Sequence, residues 1–451
     1  MRTTAFFVGA ILAAVVPAAP VRAQASSLDS VLALAERTSP VIRAADARGA
    51  GARARVAPAD ALPDPMLMLG VINQPLGRTP ASGAMGGGGS GPDPMTMRMV
   101  GVTQTLPYPG KRGRERRTVE LEVDVARAAV ETVRRQVARD VKAAWYEIAF
   151  IDQALGIVER NRNVLAGLIR ATEARYGTGS AGQQDVLRAR VEATRLAETA
   201  SGLIEQRRGA VARLNGLLDQ PAETPVPAAA VPERVARAAV HVSADAIRFT
   251  SASLGARAAD SPLRALDELQ AAAVRSSPEL REQDAMIAVQ GARLELARKA
   301  ALPDVDVSLQ YGQRGGGLPD MLSATVSIPL AIHKAQRQDQ QLVEARAQLL
   351  AATADPAARA SALRAEVARM VAQIERERTR LALTVKAILP QGRAALASAA
   401  SGYQTGKSEF LAVLESQATV FSYETDYFRA LSDFATMVAE LERMVGEEVL
   451  K

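Results

Sequence analysis

The sequence contains no cysteine and only two histidines, His241 and His333, among its 451 residues. The absence of cysteine excludes disulfides, cysteine-ligated zinc, iron–sulfur clusters, a cysteine nucleophile and a lipid-modified N-terminal cysteine. Neither histidine has a nearby set of ligand residues, and the sequence has no paired-acid, catalytic-triad or phosphate-loop pattern. We therefore expect no cofactor, no resident metal and no enzymatic activity.

Aromatic residues are also scarce, at 4%, whereas hydrophobic residues reach 48% and are mostly Ala, Val and Leu. This composition is typical of helices that pack through small side chains. The net charge is +6, but the arginines alternate with acidic residues along helical patterns. That alternation is typical of a solvated helix face, so we expect no nucleic-acid partner.

Long hydrophobic runs are missing as well: no stretch of 18 apolar residues follows the N-terminus, which predicts no transmembrane helix. The N-terminus has the pattern of an export signal, with a basic start, an apolar Ala5–Val16 and the small-residue site Val21–Ala23. We predict that residues 1–23 are removed by cleavage after Ala23. The exported chain is then either soluble outside the cytoplasm or a membrane protein built from β-strands.

The rest of the sequence consists of two related halves, which predicts two copies of one structural unit. Each copy contains a helical segment, two extended segments joined by a loop, and two long helices joined by a glycine-containing turn. The matching motifs are Ser39-Pro40 with Ser277-Pro278, Ala61–Asp64 with Ala301–Asp304, and Tyr176–Gly179 with Tyr403–Gly406.

The predicted fold class is mainly α with a small β part, built from tandem-repeat long helical hairpins and four β-strands per chain. The predicted segments are 24–60 (first helix), 61–110 (first β-hairpin), 111–220 (first long helical hairpin), 221–262 (Pro- and Ala-rich linker), 263–300 (second-repeat helix), 301–330 (second β-hairpin) and 331–451 (second long helical hairpin and C-terminal part).

The extended segments have the length of membrane β-strands, which need about 9–11 residues. Four strands cannot close a barrel, and an open sheet edge is not tolerated in lipid, so several chains must share one barrel. Two copies would leave an interior filled by side chains, so we prefer three copies and twelve strands. The segments run over 63–73, 94–106, 303–313 and 320–328, with Pro63, Pro107, Pro303 and Pro329 at strand boundaries.

Six of the twelve methionines lie between Met66 and Met99. In the second strand three methionines alternate with polar residues, which predicts a methionine face toward lipid and a polar face toward a wet lumen. The alternative is metal binding, because thioether sulfur is a soft ligand for Cu(I) or Ag(I). The candidate ligands are Met66, Met68, Met95, Met97 and Met99.

The helical segments are long and follow a coiled-coil pattern. Apolar residues between Val130 and Val158 recur roughly every 3.5 residues. Residues 113–174 contain no proline, which predicts one helix of roughly 90 Å, followed by a return helix over 183–218. The second half repeats this over 335–400 and 408–449, with a break expected at Asp355-Pro356.

Together these features resemble the TolC-like outer-membrane efflux proteins. The resemblance rests on Gln104–Lys111 after the first hairpin and on Arg175–Gly179 and Gly402–Lys407 at the helical turns. It implies a homotrimer with a shared 12-stranded β-barrel in the outer-membrane lipid of a Gram-negative cell and an α-barrel in the periplasm. It also implies a periplasmic membrane-fusion adaptor and an inner-membrane pump of the RND type as partners. Ala61–Met66 and Pro107–Lys111 most resemble the heavy-metal branch, which includes cobalt–zinc–cadmium and copper–silver systems.

The resemblance further implies roles for residues at the helical turns. Asp185 matches a family acid near the periplasmic aperture, with Glu409 and Glu415 as acids of the second repeat and Arg175 and Lys407 as their cationic partners. Gly179 and Gly406 lie where a helix reversal often needs a left-handed residue. The residues implied for adaptor docking are Arg175, Tyr176, Gly177, Gly179, Tyr403, Gly406 and Lys407.

We therefore predict an outer-membrane duct of a tripartite efflux system that passes cargo, including heavy-metal cations, to the cell exterior. Without cysteine, the duct would be held by its barrel and not by a lipid anchor. One alternative keeps the fold and carries drugs, organic solutes or polypeptide. An alternative of another class is an exported periplasmic coiled-coil scaffold, which would have no membrane-embedded strands.

Overall fold

A computed structural model describes residues 27–73, 96–240, 261–314, 318–354 and 356–451. The expected export signal, Met95, Asp355 and the second half of the linker lie outside the described residues. The described chain is mainly helical, with a small sheet of four strands, as the sequence predicts.

The first repeat begins with three helices in place of the single predicted one. These are α1 (Leu28–Thr38), α2 (Pro40–Ala54) and α3 (Val56–Asp60). The hairpin β1 (Met66–Ile72) and β2 (Met97–Leu106) follows. The long helices α4 (Lys111–Gly177) and α5 (Gln183–Leu217) complete the repeat, and α4 has 67 residues without interruption. At 1.5 Å per residue α4 is about 100 Å long, close to the predicted length.

The second repeat has the same order, preceded by α6 (Glu233–Val240) in the linker. It contains α7 (Leu266–Ser276), α8 (Pro278–Ala300), β3 (Val305–Arg314) and β4 (Met321–Ser327). Its first long helix is divided into α9 (Gln338–Thr353), α10 (Pro356–Leu383) and α11 (Leu389–Gln404), and α12 (Phe410–Val445) is the return helix. Within the residues that the structure describes, no helix is both long enough and hydrophobic enough to cross a bilayer.

The serine-proline motifs explain why the first helical segment of each repeat is divided. Pro40 is the first residue of α2 and Pro278 is the first residue of α8. The residue before a proline is disfavoured in the helical conformation, so the chain turns at Ser39 and at Ser277. The prediction of one continuous helix over 24–60 and over 263–300 was therefore wrong.

Prolines also divide the first long helix of the second repeat. The expected break near Pro356 is confirmed, because α9 ends at Thr353 and α10 begins at Pro356. A second irregularity, which the sequence analysis did not predict, is a π-helical turn at Thr384–Ile388. Pro390 follows this turn and has no N–H to donate into the helix, so a wider turn accommodates it.

All four strands form one antiparallel sheet in the order β1-β2-β3-β4. Each hairpin is a pair of neighbours along the chain, and β2 and β3 join the two hairpins through ten paired positions. β1 and β4 are therefore the two edges of the sheet and have no neighbour on their outer sides within the described chain.

Two apolar clusters lie around the middle of the long helices. One contains α1, α2, α4 and the end of α5 together with Ala435 and Ala439 of α12, so it joins the two repeats. The other contains α6, α7, α10 and α12. The linker packs there as well. Trp145 Nε1 donates to the Ala230 carbonyl at 2.9 Å, and Asp152 Oδ2 accepts from the Ala229 N–H at 3.0 Å. Asp152 also binds Arg207 Nε of α5 at 2.6 Å.

Candidate functional site

One face of the sheet, the apolar face, is almost entirely hydrophobic. Directly paired residues of neighbouring antiparallel strands point to the same side, so the register identifies its members. Leu69 pairs with Val100, which pairs with Tyr311, which pairs with Leu322. The other members are Leu67, Val71, Val102, Leu106, Val305, Val307, Leu309, Ala324 and Val326.

The apolar face is exposed in the single chain: Leu69 is 73% exposed and Leu322 is 72% exposed. Its polar members lie near its ends, with Arg98 and Gln313 paired beside the hairpin loops and Gln104 on the helical side. An exposed apolar belt with polar borders has the character of a surface that contacts lipid.

The opposite side, the methionine face, combines polar residues with methionines and glycines. Met66 pairs with Thr103 and Met68 with Gly101. Met99 pairs with Gly70 on one side and with Gly312 on the other. The polar members are Thr103, Thr105, Asp306, Ser308, Gln310, Arg314, Ser323, Thr325 and Ser327, and Met97 and Met321 complete the set of methionines.

This register contradicts the prediction that Met97 and Met99 share an apolar face. The prediction used only the first half of β2, where polar residues separate the methionines. In the second half the pattern is reversed, because Thr103 and Thr105 continue the methionine face while Val100 and Val102 continue the opposite one. Met66 and Met68 lie on the same face as Met97 and Met99, whereas Met95 lies outside the described residues.

A polar junction connects the ends of the two hairpins at the start of α4. Lys111 Nζ binds Asp304 Oδ1 at 2.8 Å and the Leu302 carbonyl at 2.7 Å, and the Tyr108 N–H donates to Asp304 Oδ1 at 2.8 Å. Burial raises the pKa of the Asp304 carboxyl, but the Lys111 ammonium and the Tyr108 N–H outweigh it and lower that pKa below its usual value. The Gln104–Lys111 motif after the first hairpin thus contacts the Ala301–Asp304 motif before the second hairpin.

The four boundary prolines lie just outside the strands. Pro63 precedes β1, and Pro107 directly follows β2. Pro303 precedes β3, and Pro329 lies shortly after β4. The strands themselves are somewhat shorter than the predicted segments, because Asp64, Asp304 and Ile328 beside the prolines are not paired in the sheet, whereas Leu106 beside Pro107 pairs with Val305.

Both helical turns have the same geometry. Gly179 and Gly406 are left-handed, with φ of 75° and 74°. At each turn, one N–H reaches back across the turn: Ser180 N donates to the Arg175 carbonyl at 2.8 Å and Lys407 N donates to the Gly402 carbonyl at 2.8 Å. This is the Schellman arrangement, and the expectation of left-handed glycines at the helix reversals is confirmed.

The two turns contact each other through Arg175 and Tyr403. The Arg175 guanidinium carbon lies 4.4 Å from the centroid of the Tyr403 ring, and Arg175 Nη1 donates to the Tyr403 carbonyl. The centroid of the Tyr403 ring also lies 5.3 Å from that of the Phe410 ring. Tyr403 is buried, whereas its counterpart Tyr176 is half exposed.

The predicted aperture acids remain available for other partners. Asp185 lies in the first turn of α5, Glu409 directly precedes α12, and Glu415 is exposed on α12. None of the three forms an ion pair with any residue that the structure describes. Arg175 lies on Tyr403 rather than on an acid of its own chain, and Lys407 is exposed.

The described residues include no cluster of three or more His, Cys, Asp or Glu side chains that could hold a metal ion. His333 is exposed beside a short 3₁₀ turn, and His241 lies outside the described residues. The described residues therefore provide no group of carboxylate or imidazole ligands. Most of their thioether sulfur atoms, which are soft donors, belong to the methionine face.

A sequence model of the family described as "Outer membrane efflux protein" matches residues 31–219 and 269–447, one range in each repeat. No curated protein matches the chain. Among solved structures, the outer-membrane channel OprN has a TM-score of 0.72 at 19% identity and covers 93% of this chain and 89% of its own. VceC from Vibrio cholerae has a TM-score of 0.69 at 18% identity, with 93% and 96% covered. CusC has a TM-score of 0.72 at 15% identity, with 93% and 92% covered.

Proposed function

The chain belongs to the outer membrane efflux protein family, and on that premise we propose that three copies form the outer-membrane duct of a tripartite efflux system. The observation that carries the proposal is the open four-stranded sheet with its exposed apolar face. The duct would lie in the outer membrane of a Gram-negative cell, held there by its strands without a lipid anchor.

The two free edges of the sheet support a shared barrel. In lipid, every backbone N–H and carbonyl needs a protein partner, because water is absent. The outer sides of β1 and β4 lack such partners within one chain. Pairing β4 of one copy with β1 of the next satisfies both edges, and three copies give twelve strands with the apolar face outward.

The helical turns support contact with a periplasmic adaptor and, through it, an inner-membrane pump of the RND type. They lie at the end of the long helices opposite the sheet, since α4 runs from the first hairpin to Gly177. Tyr176, Gly177, Gly179, Gly406 and Lys407 are exposed there. Asp185, Glu409 and Glu415 would meet the residues of neighbouring copies around the aperture, where a ring of carboxylates favours cations.

The cargo that we propose is more specific than the family to which the chain belongs. We infer that the duct passes heavy-metal cations, because Ala61–Met66 and Pro107–Lys111 resemble the heavy-metal branch. The duct performs no chemistry in this account, so its contribution to selectivity is confined to the residues along its wall.

Cysteine cross-linking tests the shared barrel, since the natural sequence contains no cysteine to interfere. Gly70 of β1 is replaced by cysteine and combined, in separate variants, with cysteine at Ser323, Thr325 or Ser327 of β4, all on the methionine face. At least one combination should give covalent dimers and closed trimers on oxidation. The control pairs Gly70→Cys with Ser308→Cys on β3, an internal strand, and should give none.

Monomers alone in all three edge combinations would overturn the trimer. The scaffold alternative predicts that result, together with a protein absent from the outer-membrane fraction. Conductance of the purified protein in planar bilayers separates the two further, because a scaffold would form no channel.

A further inference from the structure

The methionine face places three methionines next to one glycine. Gly312 of β3 pairs with Met99 of β2 on one side and with Met321 of β4 on the other. A Cβ atom built on Gly312 would lie 2.9 Å from Met97 Sδ, so the Met97 side chain extends over this glycine. Met97 therefore covers Gly312, and Met99 and Met321 occupy the paired positions on either side of this glycine, on the same face.

A second methionine position lies next to this group. Met68 of β1 pairs with Gly101, two residues from Met99 along β2. Thr103 Oγ1 donates to Met68 Sδ at 3.9 Å, which shows that this sulfur already accepts from a polar neighbour. Of the three glycines on this face, Gly312 is covered by a methionine side chain, Gly101 by Gln310, and Gly70 has open space above it.

Packing alone does not explain these methionines. Methionine usually fills gaps among apolar side chains. Here Met99 and Met321 pair with glycines, Met97 pairs with Ile72 and Arg314, and the next paired positions on the same face are Gln310 and Ser323. Met321 is 44% exposed and fills no core. Serine or threonine, which occupy six other positions of this face, would suit a wet surface better than an uncharged thioether.

The chemistry of the group selects its ligand. Thioether sulfur is soft and uncharged, so it prefers Cu(I) and Ag(I) to harder divalent cations. Because the described residues contain no His, Cys, Asp or Glu cluster of ligand type, harder cations have no comparable site there. Neutral donors bind weakly enough for release, which a conducting pathway requires.

We propose that Met97, Met99 and Met321, with Met68 beside them, bind monovalent soft metal cations, Cu(I) or Ag(I), on the methionine face. The inference that this site lies along the path of the cargo rests on the proposed function, because only a closed barrel turns the methionine face toward a lumen. The binding itself depends on the sheet of one chain.

Silver is the probe, since Ag(I) needs no reductant. The purified, detergent-extracted protein is titrated with silver nitrate in chloride-free buffer, and bound silver is measured by equilibrium dialysis. The test variant is Met97→Leu/Met99→Leu/Met321→Leu, and the control is Met286→Leu/Met437→Leu on the helices. Leucine keeps the volume and removes the sulfur. The affinity of the test variant for Ag(I) should fall at least about tenfold. Loss of residues that only hydrogen-bond to metal ligands already lowers metal affinity by about that factor, and the test variant loses the ligands themselves.

A second measurement uses the unaltered protein and needs no variant to fold. Hydrogen peroxide oxidises exposed methionines, and peptide mass spectrometry reports each site. Ag(I) should slow the oxidation of Met97, Met99 and Met321 but not of Met286, which is 36% exposed. Equal silver binding by the test and control variants, or equal oxidation with and without silver, would overturn the site.

The trimer and its conductance are measured on the same preparations. A conducting trimer without methionine-dependent silver binding would refute this site and leave the proposed function intact. Silver binding by a protein that forms no trimer would support the site and refute the proposed function.

Discussion

Replacing Arg175 by glutamine removes the contact that joins the two helical turns of one chain. The structure gives Arg175 two interactions with the second repeat, the face of the Tyr403 ring and the Tyr403 carbonyl. Glutamine keeps a polar side chain of similar reach but loses the charge and the planar guanidinium. The turns of the first and second repeats should then move apart more easily, and the aperture should widen.

The two contacts of Arg175 determine how far the substitution should shift the equilibrium between the closed and the wide aperture. A partly exposed cation–π contact contributes roughly 0.5–1 kcal/mol, and a hydrogen bond from a charged donor about 1.5 kcal/mol before screening. Because Arg175 is only half-buried, we expect about 1–2 kcal/mol for the two contacts together in each protomer. In a trimer that opens as a unit, the aperture equilibrium would shift by about 3–6 kcal/mol, or roughly a hundredfold to ten-thousandfold.

Single-channel recording in planar bilayers measures this shift. Arg175→Gln should increase the conductance or the fraction of time in the wide state. Arg208→Gln removes an exposed cation from α5, away from the turns, and should leave both unchanged. Tyr403→Phe should also behave like the unaltered protein, because the Tyr403 hydroxyl is buried and has no hydrogen-bond partner among the described residues. Equal conductance of Arg175→Gln and the unaltered protein would refute the reasoning.

Three further predictions concern stability, measured as the temperature at which the oligomer is lost from unheated gels. Lys111→Met should lower the stability of the oligomer by about 1 kcal/mol. The value is small because the Asp304 side chain is 39% exposed and solvent screens its ion pair with Lys111. Because the folded pKa of Asp304 is lowered, its contribution is present at neutral pH and is lost as the pH falls through that pKa. The difference between Lys111→Met and the unaltered protein should therefore shrink in acid, and a pH-independent difference would contradict this. Asp152→Asn should lower the stability of the oligomer by about 2 kcal/mol, because it weakens both the salt bridge to Arg207 of α5 and the hydrogen bond from the Ala229 N–H of the linker. An unchanged dissociation temperature would show that these two contacts do not contribute to stability. Gly179→Ala should lower the stability of the oligomer by about 1 kcal/mol, because Gly179 has a positive φ. Gly177→Ala should leave the stability unchanged, because Gly177 has helical backbone and open space around it. Equal effects of the two substitutions would contradict the left-handed turn.

Local signals were sufficient for the parts of the fold that depend on neighbouring residues. The repeated motifs identified the two halves, and glycine in a Tyr-x-x-Gly pattern identified the left-handed turns at Gly179 and Gly406. Proline marked the strand ends. In each case the conformational limits of one residue type fix the backbone nearby, so a single sequence is enough.

Features that depend on distant residues were not predicted. The grouping of Met97 and Met99 with Met321 on one face follows from the pairing of β2 with β3 and of β3 with β4, and β2 and β3 are separated by some two hundred residues. Met321 was not considered as a partner of Met97 and Met99 for the same reason. The contact between Arg175 and Tyr403 spans 228 positions, and nothing in either motif indicates that one turn's arginine covers the other turn's tyrosine.

The oligomeric state of the protein in the outer-membrane fraction tests the central claim most directly. The measurement is the mass of the detergent-extracted protein by native mass spectrometry, beside the mobility of heated and unheated samples on a gel. We expect a particle of three chains that dissociates only on heating. A monomer or dimer recovered from the soluble periplasmic fraction would contradict it, because four strands with two open edges cannot form a channel in lipid alone.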